Sequence, residues 1–70
     1  MIGRADIWQV AGDVLTDKQL RILELRERHG FSWRQIAYMV NVDVSTVRGH
    51  YNAAIRKIHN HLEHAQKEPA

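Results

Sequence analysis

The sequence contains no cysteine, so neither a disulfide framework nor a thiolate metal site can add to its stability. Its one proline, Pro69, stands next to last, and no proline interrupts any earlier helical pattern. No apolar run approaches the roughly 20 residues that a membrane-spanning helix requires. The opening Met1-Ile2-Gly3-Arg4-Ala5-Asp6 lacks the apolar stretch of a secretion signal. These absences point to a soluble, cytoplasmic chain with no membrane partner. Charge of one sign is also scarce, since the formal net charge is only +2. What is present is a 44% hydrophobic composition in 70 residues, enough for one modest core and too much for a disordered chain. At this length a compact helical bundle, or a dimer, is the economical route to stability.

The distribution of charge is more informative than its total. Residues 1–30 are balanced, with Arg4, Lys18, Arg21, Arg26 and Arg28 against Asp6, Asp13, Asp17, Glu24 and Glu27. Residues 31–60 hold Arg34, Arg48, Arg56 and Lys57 against Asp43 alone, with His50 and His59 in reserve. A basic second half suits a surface that faces phosphates. Charge by itself fits an ordinary solvated face equally well.

Helical signals dominate. Thr16 followed by Gln19 forms a capping box, and Leu15 and Leu20 stand where a hydrophobic staple would. Leu20, Ile22, Leu23 and Leu25 then recur at helical spacing up to Gly30, predicting a helix over Asp17 to His29. The signature repeats in Ser32 and Gln35, with Ile36, Ala37 and Val40 as the stripe of a short helix over Trp33 to Val40. Asn41 tolerates the left-handed conformation that ends a helix. Asp43 is placed to cap a third helix from Val44 to about His64, with Val47, Tyr51, Ala54 and Ile58 inward. Residues Ile7 to Val10 suggest a further short helix, with Trp8 covering an open edge of the core. The expectation is an all-α, three- to four-helix bundle with a long C-terminal helix. It forms one domain over residues 1–70, its core at 15–64, residues 1–14 packing on it and 65–70 a frayed tail.

Within that bundle, two short helices joined by a tight turn, the second longer and basic, outline a helix-turn-helix. The geometry requires a small residue where the helices cross, supplied by Ala37. It also requires a positive-φ residue in the turn, supplied by Asn41, and an apolar plug after it, supplied by Val42. The second helix needs inward positions every three or four residues, met by Val47, Tyr51 and Ala54.

The residues Leu15-Thr16, Leu23, Leu25, Gly30-Phe31-Ser32-Trp33-Arg34-Gln35-Ile36-Ala37, Val42, Thr46-Val47-Arg48, Ala54 and Ile58 resemble the region 4 domain of bacterial sigma factors. They are also similar to the C-terminal DNA-binding domain of LuxR-type regulators, where Thr46-Val47-Arg48 and His50 match well. The resemblance covers about residues 15–58 and implies that the third helix enters the major groove of duplex DNA. Two positions depart from both families. Asn41 replaces the usual glycine, an acceptable swap at positive φ, and Asp43 replaces the usual serine or threonine, placing an anion near phosphates.

The outward face of the third helix supplies Val44, Ser45, Arg48, Gly49 and Asn52 as candidates for base reading. Arg48 has the donors for guanine and Asn52 for adenine, Val44 suits a thymine methyl, and Gly49 permits close approach. Arg48 suits a phosphate equally well. Ser32, Trp33, Arg34, Thr46, Arg56 and Lys57 are the candidates for phosphate contact. The seam Tyr51, Ile55, Ile58, Leu62 and Ala65 is heptad-like, and Ile55, Leu62 and Ala65 are candidates for a homodimer contact through the C-terminal helix. Of His59, His61 and His64, only His61 and His64 share a helix face, no third ligand is placed with them and no carboxylate orients them, so no metal and no cofactor are expected. No nucleophile–base pair or glycine-rich phosphate loop is present, and an enzyme is not expected. The leading expectation is a free-standing transcriptional regulator of the size that a phage or mobile element carries. The alternative is a protein-interaction module that engages RNA polymerase or a sigma factor through the same fold.

Overall fold

A computed structural model describes the backbone of residues 4–66 and the side chains of residues 7–64. Four helices follow one another: α1 (Arg4–Val14), α2 (Asp17–Glu27), α3 (Trp33–Val40) and α4 (Val44–Gln66). The architecture is the expected small all-α bundle with a long C-terminal helix.

The helix boundaries follow from local chemistry. At the start of α2 the Gln19 N–H donates to Thr16 Oγ1 at 3.2 Å, and the Thr16 N–H donates to Gln19 Oε1 at 3.1 Å. The same reciprocal pair opens α3, with Gln35 N–H to Ser32 Oγ at 3.1 Å and Ser32 N–H to Gln35 Oε1 at 2.8 Å. Each such cap contributes about 1 kcal/mol by satisfying donors that the helix cannot. α2 ends at Glu27, two residues before the expected His29. Gly30 adopts a φ of 73°, and the reversed chain lets Phe31 N–H reach Leu25 O at 3.1 Å. Arg26 Nη1 donates to Phe31 O at 3.0 Å and pins the same loop. α3 ends as the sequence suggests, at Asn41 with φ 61° and ψ 45°.

Asp43 behaves differently from the expected backbone cap. Its carboxylate accepts the hydroxyls of Ser45 and Thr46, each at 2.6 Å, while its main-chain carbonyl accepts Val47 N–H at 3.1 Å. α4 then runs unbroken through Gly49 for 23 residues, about 35 Å at 1.5 Å per residue.

Two apolar clusters share α4. The first joins Ile22 and Leu25 of α2, Ile36 and Ala37 of α3 and Val47 of α4. Ile22, Ile36 and Val47 are each 0% exposed. Ala37 is buried where α3 meets its neighbours, and Val42 packs on the same cluster from the turn. The second cluster joins Ala11 of α1, Leu23 of α2 and Ile58 of α4, with Trp8, Val14, Leu15 and Leu20 around it. Tyr51 borders both clusters. Gln19, 9% exposed, is satisfied across the bundle, where its Oε1 also accepts Lys57 Nζ at 3.0 Å.

α1 is the main departure from expectation. It is 11 residues long, where the sequence suggests only Ile7 to Val10. The reason is tertiary, because Trp8, Val10, Ala11 and Val14 find an apolar face on α2 and α4 to cover. That cover also engages Leu62, a candidate for the homodimer contact, from within the same chain. It is half-buried against the second cluster. Ile55 remains 43% exposed. The third interface candidate, Ala65, lies outside the described side chains. Of the tail expected to fray, Gln66 still belongs to α4 and residues 67–70 lie outside the described residues.

Ile36→Ala should cost about 2–5 kcal/mol, because it removes a fully buried side chain at the junction of three helices. Asn41→Val should cost about 1–2 kcal/mol through backbone conformation alone, and Asn41→Gly should not. Urea unfolding followed by circular dichroism measures all three.

Candidate nucleic-acid interface

α3, the turn at 41–43 and the first half of α4 form a helix-turn-helix whose outer side is free of the core. With Val47 at the centre of the buried side, steps of 100° put Ser45, Gly49, Asn52 and Arg56 along the opposite side of α4. All four are exposed. Arg48 is exposed on the flank of that stripe nearest α3, and Arg34 is exposed on α3 itself. The structure therefore brings Ser45, Arg48, Gly49, Asn52 and Arg56 onto one accessible surface. Gly49 has open space where a Cβ would stand, with nothing within 4 Å beyond its chain neighbours and the backbone of its own helix.

Four candidates are placed differently. Val44 is half-buried on the first cluster, because three residues before Val47 is the same helix side. Trp33 is also half-buried. Its ring meets Tyr51 edge-on at 5.0 Å and 75°, and the Arg26 guanidinium lies over it at 4.3 Å. Lys57 reaches back to Gln19, and the Thr46 hydroxyl is donated to Asp43. Ser32 stays exposed, with its Oγ occupied by the α3 cap.

Other features escaped the sequence reading. Arg26 reaches the ring of Trp33 from the end of α2, a contact between residues seven apart across a loop that no helical spacing encodes. On α3, Tyr38 is 89% exposed and Met39 is also exposed, beside Phe31, Arg34 and Gln35. That patch had a signal, because Tyr38 and Met39 fall outside the Ile36, Ala37 and Val40 stripe. His59, weighed as a metal ligand, pairs with Glu63 at 3.0 Å.

The family model for sigma-70 region 4 matches residues 9–66. The chain belongs to the sigma-70 region 4 family. No curated protein and no solved structure matches it. The LuxR-type likeness remains a likeness of a related helix-turn-helix. As a region 4 domain, the chain falls in a family of helix-turn-helix binding domains rather than enzymes. Its role at that level is DNA binding or a contact with the transcription machinery. No helix among the described residues is long and apolar enough to cross a membrane.

Two ionisable groups mark the edges of this region 4 surface. The Ser45 and Thr46 hydroxyls hold the Asp43 carboxyl below its ordinary 3.8. Asp43 is thus charged at neutral pH, at the positive end of α4 and next to the stripe. Burial, and then the hydrogen bond that its hydroxyl donates to the Glu27 carboxylate, push Tyr51 up to about 12. A raised phenol favours the folded state fully below its ordinary 10.0, and the contribution fades as pH rises from there towards 12. Absorbance titration of the phenolate should show a step near 12 that Tyr51→Phe removes. The same substitution should flatten the loss of unfolding free energy between those two values.

Proposed function

We propose that this chain is a sequence-specific double-stranded DNA-binding protein, a cytoplasmic regulator of transcription that lays α4 in the major groove. The observation that carries the reading is the exposed stripe of Ser45, Gly49, Asn52 and Arg56, flanked by Arg48, in a family of DNA-binding domains. In this reading Arg48 donates two hydrogen bonds to a guanine edge and Asn52 pairs with an adenine edge. Gly49 lets the helix backbone come close, and Ser45, whose hydroxyl proton goes to Asp43, offers the lone pairs of its oxygen as acceptors from the first turn. Arg34, Ser32 and Arg56 meet phosphates on either side. Trp33, Val44, Thr46 and Lys57 are supports for the reading residues, since their contacts are made within the fold. Asp43 weakens phosphate attraction at the start of α4 and makes affinity depend more on base contacts.

A homodimer adds a second reading helix to the same duplex. Ile55, exposed beside Trp8, Ile58 and Leu62, is the residue that supports this. A polymerase or sigma-factor contact is the second reading, and the exposed Tyr38 and Met39 on α3 favour it.

In vitro selection of bound duplexes tests the proposal, and a recovered site with two-fold symmetry identifies the dimer. Arg48→Ala should erase the sequence preference. Arg34→Ala should weaken binding evenly across sequences and reduce the slope of log affinity against log salt by about 1. Recovery of no enriched sequence, with retention of polymerase in a pull-down, would transfer the assignment to the second reading.

A further inference from the structure

Trp33 opens α3 immediately after the cap, and its indole is held from several sides. Tyr51 meets it edge-on at 5.0 Å, the first apolar cluster supports it, and Arg26 lies over the ring at 4.3 Å. Arg26 is itself tied down by its bond to Phe31 O at 3.0 Å. The ring is therefore a rigid platform. Arg48 comes over the same ring at 5.8 Å from α4. Among the described residues Arg48 makes no ion pair, so this ring is the contact that restrains its guanidinium.

We propose that Trp33 is a positioning residue for Arg48, holding the guanidinium ordered over the indole before DNA arrives. The inference rests on the reading of Arg48 as a base contact. A free arginine must surrender the freedom of a long side chain when its planar fork meets a guanine edge. An arginine already resting on a ring surrenders less, and the gain appears in discrimination between bases. The two distances explain why the contact helps rather than traps. Arg26 occupies the ring more closely, and its like charge keeps Arg48 at the outer limit of a cation–π contact. Arg48 thus keeps the face of its guanidinium on the ring while the edge of the planar fork stays free to meet a base.

The test is a double-substitution cycle on the full chain, using the selected duplex and the same duplex with the guanine read by Arg48 replaced. The readout is the ratio of the two dissociation constants. Trp33→Leu should lower that ratio about two- to five-fold, the size of one exposed cation–π contact. In an Arg48→Ala background it should lower the ratio no further. Trp33→Phe, which keeps a ring with a weaker face, should lose less than Trp33→Leu, and it carries the cycle alone if Trp33→Leu does not fold by circular dichroism. An equal loss in both backgrounds, or no loss with Arg48 present, would overturn the positioning role. Full discrimination by Arg48→Ala, or no selected duplex at all, would instead overturn the reading of Arg48 on which the inference stands.

Discussion

The contact among Ile22, Ile36 and Val47 is the constraint on which the rest of the molecule depends. One side chain from each of α2, α3 and α4 meets there without solvent exposure. In a chain of 70 residues that single junction fixes how α3 crosses α4 and therefore which side of α4 faces outward. The exposed stripe follows from it. Val47 inward puts Ser45, Gly49, Asn52 and Arg56 outward because they stand about half a turn away.

A second set of contacts acts around that junction rather than within it. Arg26 and Glu27 at the end of α2 reach Trp33 and Tyr51, which touch one another edge to face. The belt ties the loop before α3 to the middle of α4, where the core changes from one cluster to the other. Tyr51 borders both clusters and gives its hydroxyl to Glu27, so one residue links the helix-turn-helix to the support beneath it. α1 closes the far side with Ala11 fully buried, and in doing so it takes up Leu62.

These contacts divide the polar residues into two groups. Lys57, Ser45, Thr46 and Ser32 make side-chain hydrogen bonds inside the fold, to a capping glutamine, to the Asp43 carboxylate for both hydroxyls of α4, and within a helix cap. Arg34, Asn52 and Arg56 stay exposed, and the exposed Arg48 lies over an aromatic face. The division explains why a modest net charge is compatible with a basic working surface.

Local chemistry written in consecutive residues determined much of this protein. The two capping boxes, the left-handed Asn41 and the apolar period of α2 and α3 were all legible, because each depends on neighbours within about one helical turn. The same periodicity marked Val47, Ala54 and Ile58 as inward, and it made the helix-turn-helix recognisable. It also held an unread signal, since Val44 shares the inward side of Val47. Only the tertiary structure decided the length of α1, the burial of Leu62 and the engagement of Lys57 by Gln19, a residue 38 positions away. It likewise decided that Arg26, Arg48 and Tyr51 meet at Trp33. Such contacts join residues brought together by the crossing of helices, and helical spacing carries no record of what lies across a crossing.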